Sequence, residues 1–488
     1  MHRRHFLQTG ARSAAALSLL ANAPLLAQTP DANDPWAIDM ALVRGAMDLH
    51  PGALRYMDAP ELARALDRFE DAYRTAGGLA DRFLILSQFL ASLQCGHTHC
   101  NFYNQSDAVA AELFDLPTRL PFLFEWIDQA MVVTSDLTGE ATLPVGTVIE
   151  SIDGTPAATL LERLLPLARA DGGNDAKRVA QLKVTGGERY PAFDIFQGLL
   201  HPPRDGHFLL ETVDPSGNRR EVTFAAISPG QRLEAAPPPA FDCSPLWTLD
   251  MRDDGVAFLS MPTWVVYRGG WDWAGWLMEQ APALYAARGL VIDLRGNEGG
   301  LSCGDPILAR LAAHDIPLDE FESRVRFRRI PDWMDAHVVT PDPSFRSLGV
   351  DAVPLGGGFF GEDTATREKP VIEAQAPRLT TPTAVLVDAS NSSATFLFAL
   401  RAKRHGLATL VGETTGGNLN GINAGAVAFV TLPGSGIEFD VPLVGYFPDT
   451  PRPDRGVLPD IAVSRSAADI AEGRDPVLDA GVSAVLRP

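Results

Sequence analysis

Apolar side chains recur at helical spacing between residues 60 and 94. Leu62, Leu66, Phe69 and Tyr73 share one face, and after the Gly77-Gly78 break Phe83, Leu86, Phe89, Leu90 and Leu93 form a second stripe. Both stripes predict helices that face a core. Between 116 and 228 the pattern changes to short β-type runs over 121–124, 131–134 and 147–152, the last leading through Asp153-Gly154 into a helix over 157–167. After a polar stretch, 208–213 and 220–224 read as a hairpin-like pair across a Pro-Ser-Gly turn. Residues 229–245 are rich in Pro and Ala without periodicity and predict a linker. Beyond them, 255–260 and 290–294 read as buried strands separated by an amphipathic helix over 273–286. The stretch 314–378 has no regular spacing and carries Trp333, Phe345, Phe359 and Phe360 among turn residues; loops of that length usually cover something.

A second strand-turn-helix unit organises the C-terminal half. The β-branched run 385–387 stops at Asp388, and Ala394, Leu397, Phe398 and Arg401 then repeat with helical spacing. Asn391, Ser392 and Ser393 fall at the turn, where unpaired amide hydrogens and the positive end of the helix dipole face any nearby group. A serine in that place either caps the helix or serves as a nucleophile. Upstream, Asp293-Leu294-Arg295-Gly296-Asn297-Glu298-Gly299-Gly300 reads as a strand and a glycine turn, common in α/β proteins. Its chemical use would be an oxyanion hole, because glycine lets the backbone approach a substrate carbonyl closely and aim an amide hydrogen at it.

Taken together, LVIDLRGNEGG (290–300), Ser393-Ala394, VGETTGG (411–417) and RGVLPD (455–460) resemble, in the same order, the motifs of the tail-specific proteases, or C-terminal processing peptidases. The tricorn protease core and the interphotoreceptor retinoid-binding protein are relatives of that family. The resemblance implies an α/β fold with a helical segment over 28–115, a PDZ-like β-rich module over 116–228, a linker over 229–245 and a crotonase-like catalytic domain over 246–488. It makes Ser393 the nucleophile, with the amides of Gly299 or Gly300 and of Ala394 as oxyanion donors. Many relatives place a lysine base twenty-five residues after the nucleophile; here that position is Asn418, and an amide cannot take a hydroxyl proton. A serine-lysine dyad is therefore excluded by this alignment.

The non-lysine branch of the family takes its base from a Gly-His-Thr, which selects His97 over His99 within Gly96-His97-Thr98-His99. Gly96 also suits the end of the preceding helix. Cys95 and Cys100 bracket the two histidines without the two-residue spacing of a zinc pair, and no second cluster completes four ligands. Those two cysteines are the best candidates for a disulfide, though spacing does not establish their geometry. For the acid that orients the histidine, the resemblance points to Asp454, ahead of Asp449 and Asp460; the alternative for Asp454 is a turn-capping aspartate beside proline. The family's acidic residue three positions after the nucleophile is replaced by Phe396.

At 46% hydrophobic and 21% charged residues, composition is that of a soluble globular protein. The N terminus, with Arg3-Arg4 ahead of an apolar stretch ending at Leu26, has the form of a twin-arginine export signal over 1–27, too short in its apolar part to span a bilayer. That segment holds three arginines and no acid, so its removal changes the formal charge from −20 to −23. So acidic a surface disfavours nucleic acid and anionic lipid as partners. The expectation is an exported, periplasmic or secreted serine peptidase acting on peptide or protein through an acyl-enzyme, with no metal or organic cofactor. A non-catalytic binder of a hydrophobic ligand on the same scaffold and an esterase are the alternatives.

Overall fold

The computed structural model describes residues 34, 36–139, 142–238, 242–362 and 370–487; the segment 1–27, expected to be an export signal, lies outside them. The described residues begin with three helices, Ala37–Leu49, Ala59–Thr75 and Leu79–Ser92. The second opens with a capping box in which Asp58 accepts the Glu61 amide at 2.7 Å and Glu61 accepts the Asp58 amide at 2.8 Å. Both expected apolar stripes are buried. The third helix ends before Gly96, and Gln94 takes the left-handed φ of +53° that ends it. Gly96 serves a different purpose, described below.

The β-rich module is an antiparallel sheet in the spatial order Phe122–Ile127, Ala130–Asp136, Val148–Ile152, His207–Val213, Arg219–Ala225, with helix Ala157–Leu164 packed on it. The stretch read only as polar contains two more helices, Asp175–Gln181 and Ala192–Leu200. The span 229–245, expected as a linker without periodicity, carries a short capped helix, Pro229–Ala235.

In the C-terminal half, one sheet runs in the order Ile461–Ala462, Thr409–Gly412, Thr383–Val387, Gly289–Asp293, Val256–Ser260, Thr248–Met251, parallel throughout except at the last pair. Strands buried on both faces read as continuous apolar runs, and Thr383–Val387 is buried at every position. Helix Ser393–Arg404 belongs to the core on one face, while helix Pro476–Leu486 packs on the other. The loops after Asp293, Val387 and Gly412 therefore leave the same end of the sheet, the usual place for a site in a parallel α/β fold.

A long hairpin, Asn423–Thr431 with Glu438–Phe447, extends from this unit. Its apolar side shares one core with the N-terminal helices, the β-rich module and Phe327, Ile330 and Met334. The irregular stretch 314–378 docks on the same hairpin, with Glu322–Arg324 on one edge and Val338–Val339 on the other. This shared core brings the first hundred residues against the last hundred.

Candidate active site

Ser393 stands at the first position of its helix with φ +52°, a left-handed conformation rare for a side-chain-bearing residue. Such strain costs on the order of 1–3 kcal/mol and persists only where surrounding structure enforces it. Here Asn391 does the enforcing. Its Oδ1 accepts the Asp388 amide at 2.8 Å, and its Nδ2 donates to the carbonyls of Leu294 at 2.5 Å and Asn297 at 3.0 Å. Its own carbonyl accepts the amides of Gly416 and Gly417 at 2.7 and 3.1 Å. One buried asparagine thus ties together the three loops that leave the sheet. Ser392 is not a side-chain cap; its hydroxyl donates to the Glu298 carbonyl at 3.1 Å.

The glycine turn lies against Ser393. Gly299 has φ +106°, and a Cβ added to it would stand 2.9 Å from the Ser392 carbonyl and 3.0 Å from the Ala394 nitrogen. Of the three expected oxyanion donors, the Gly299 amide is already committed to Asn297 Oδ1 at 2.9 Å. The amides of Gly300, with φ +136°, and Ala394 have no acceptor among the described residues. Those two are the available pair.

His97 follows the helix turn, with Nδ1 buried and without a hydrogen-bond partner. Burial lowers its pKa below the ordinary 6.5; Arg169 and Lys177 push in the same direction, while Asp171 and Glu298 oppose them. Asp171 is held on the same turn by the Gly96 amide at 2.8 Å, and a Cβ on Gly96 would stand 2.8 Å from its Oδ2. Glycine at 96 is what lets that carboxylate approach. Glu298 links the two halves of the site, acting on His97 through its charge and leading directly into Gly299. Among the described residues no hydrogen bond joins Ser393 to His97. His99, a neighbour of His97, borders the main cavity, and its carbonyl accepts the Asp440 amide at the edge of the hairpin.

Asp454 makes no hydrogen bond to His97. Its carboxylate accepts from Tyr56 at 3.0 Å, Asn418 at 2.5 Å and the Gly173 amide at 3.1 Å. Asn418 also donates to the Asp171 carbonyl at 3.1 Å. Residue 418, which takes the place of the family's lysine, thus joins Asp454 to the turn that carries Asp171. The spacing of Asp171 gave no sign of this, because its partners are 75 and 247 residues away. Phe396 is fully buried against Gly417, so the position of the family's acid has become core. Cys95 and Cys100 are buried and unbonded.

A cavity of about 960 Å³ opens between the β-rich module and the sheet end. Glu125, Lys183, Glu188, Asp388, Glu413 and Arg465 are on its wall, with Glu298 and Ser390 at its inner edge; neither Ser393 nor His97 lines it. Burial, reinforced by Glu298, raises the Glu188 carboxyl to about 7.

No curated protein matches the chain. Mature CPAF complexed with lactacystin is similar in fold, with a TM-score of 0.59 at 16% identity over 89% of this chain and 94% of that one. Mature CPAF alone gives 0.58 at 15% identity over 89% and 93%. The photosystem II D1 C-terminal processing protease aligns over 92% and 99% at 15% identity with a TM-score of 0.40. Residues 255–463, which hold the glycine turn, Ser393, Asn418 and Asp454, match the family model Peptidase family S41. The match makes residues 255–463 a serine-type peptidase domain of family S41.

Proposed function

We propose that Ser393 is the nucleophile of a peptide hydrolase that works through an acyl-enzyme with His97 as its base. The observation that carries this reading is the strained φ of Ser393 beside two unengaged amides, Gly300 and Ala394. Ser393 Oγ gives its proton to His97 as it bonds to the scissile carbonyl carbon, and the two amides receive the oxyanion. The proton passes to the leaving amine, the C–N bond breaks and an ester to Ser393 remains. Water, deprotonated by His97, cleaves that ester and restores the hydroxyl.

Asp171 supports the imidazolium in this scheme, and Asp454 acts through the 171–173 turn that it holds with Asn418. This reassigns the expected role of Asp454. His97, kept neutral at physiological pH by burial, is in the form a base requires. The β-rich module, read as PDZ-like, and the cavity beside it suit an extended peptide. The twin-arginine-type N terminus supports action outside the cytoplasm. A hydrophobic-ligand binder is disfavoured by the charged cavity wall. An ester substrate would use the same chemistry.

The test is hydrolysis of an unbiased peptide library alongside matched esters. Turnover of peptides that disappears in Ser393→Ala supports the reading; turnover of esters alone makes the protein an esterase, and turnover retained in Ser393→Ala removes Ser393 from the reaction.

A further inference from the structure

The helix Asp175–Gln181 belongs to the β-rich module, yet three of its neighbouring side chains reach the three catalytic loops. Asn174, which caps it, donates to the carbonyls of Thr415 and Gly417, each at 3.0 Å. Lys177 Nζ donates to Glu298 Oε1 and to the Ser390 carbonyl, each at 2.9 Å. Gln181 donates to the same Glu298 oxygen. Positions 174, 177 and 181 fall on one helical face, so a single rigid element holds all three loops. Lys177 is buried, with 3% of its side chain exposed. Its stem passes over Gly416, where an added Cβ would stand 2.8 Å from Lys177 Cδ. Burying an ammonium is an inefficient way to join two surfaces, since apolar residues of similar volume commonly do it as well or better. The lysine is therefore explained by what it holds. Glu298 is bonded to Lys177 by its carboxylate and to Ser392 by its carbonyl, and it leads directly into Gly299 and Gly300.

We propose that Lys177 is a positioning residue of the hydrolytic site: it fixes Glu298, and with it the Gly299-Gly300 amides, in register with the turn that carries Ser393, and it places a positive charge beside His97. The inference rests on the serine peptidase reading above. It also makes the β-rich module a contributor to the site and not only a holder of peptide.

The groups facing His97 are Asp171 and Glu298, which favour its protonation, Arg169 and Lys177, which oppose it, and His99 as a neighbour. Lys177→Met and Glu298→Gln should therefore move the His97 titration in opposite directions, which loosened packing alone would not do. The experiment measures kcat and KM against pH for a peptide, and titrates 13C-labelled histidine by NMR, in the full-length wild type, both single variants, the double variant and Lys177→Arg. The expected result is a His97 titration raised by about 0.5 pH unit in Lys177→Met, lowered by a similar amount in Glu298→Gln and near wild type in the double variant. Alongside it, kcat falls roughly 10- to 100-fold in Lys177→Met with KM little changed, and Lys177→Arg recovers part of the loss. Shifts in the same direction, or an unchanged kcat in a folded Lys177→Met, would overturn the proposal. If Lys177→Met fails to fold, Glu298→Gln, a near-isosteric change on the cavity side, decides the matter by the sign of its shift. Opposite NMR shifts in a protein without peptide turnover would support the place of Lys177 and remove the peptidase reading instead.

Discussion

A Cβ placed on Gly299 would stand 3.0 Å from the Cβ of Ser393. The contact leaves no room for a side chain between the glycine turn and Ser393, and the φ of +106° at Gly299 is one that other residues rarely adopt. Gly299→Ala should push the turn away from the Ala394 amide and lower kcat by about 10²-fold, the usual scale for loss of one oxyanion donor. Steady-state kinetics with a thermal melt on the same sample check this; wild-type kcat in a folded Gly299→Ala would contradict it.

Asn391 is the residue on which the loop arrangement depends. Asn391→Ala removes one donor from each of the buried carbonyls of Leu294 and Asn297, which keep the Asn297 amide and Thr395 Oγ1 respectively, and should destabilise the protein by about 1–3 kcal/mol. Denaturant unfolding with an activity assay on the folded fraction measures both effects. Asn391→Asp, which keeps the acceptor and loses the donor, should resemble Asn391→Ala.

The two carboxylates make separable predictions. Asp171→Asn removes the carboxylate with the larger influence on His97, so the titration of His97 and the acidic limb of kcat/KM should move to lower pH while kcat falls roughly 10- to 100-fold. Asp454→Asn keeps a group able to accept from Gly173 and Tyr56 and should leave that limb near its wild-type position. A larger shift in Asp454→Asn than in Asp171→Asn would return Asp454 to the orienting role.

Acid sensitivity of the fold has a named source. His50 is fully buried, its Nδ1 accepts the Gly52 amide at 3.0 Å, and its Nε2 proton therefore goes to Thr98 Oγ1 at 2.7 Å, next to His97. Burial, with Arg55 and Arg326 adding to it, lowers its pKa from 6.5 to about 3. The unfolded chain binds this proton first, so the stabilising contribution is complete above pH 6.5. It is lost as pH falls towards 3, at roughly 1.4 kcal/mol per pH unit. Melting temperatures between pH 7 and 4 should fall more steeply in wild type than in His50→Gln, whose side chain can still donate to Thr98. Equal slopes would exclude His50 as the source.

What could be read along the chain was what local geometry controls. Strands Gly289–Asp293 and Thr383–Val387 carry the unbroken apolar runs 290–292 and 384–387, and their turns follow at once, so the glycine loop and Ser393 were recognisable from a few residues each. The helix Trp273–Ala286 agrees with its predicted span for the same reason. Lys177 and Asp171 were hidden in a stretch that carries no apolar periodicity, because their partners are polar and distant: Glu298 is 121 residues from Lys177. The hairpin 423–447 had a legible signal in Pro433-Gly434-Ser435-Gly436 between alternating residues, but its function as the surface that receives the N-terminal helices depends on contacts such as Asp39 with the Gly434 and Ser435 amides. Pairing over nearly four hundred residues leaves no local trace.

The most direct measurement is covalent labelling of the purified protein by an activated fluorophosphonate, followed by peptide mapping of the adduct. A single adduct on Ser393 is expected, absent in Ser393→Ala and formed at least tenfold more slowly in His97→Ala. An adduct on another residue, or labelling at Ser393 that does not depend on His97, would contradict it.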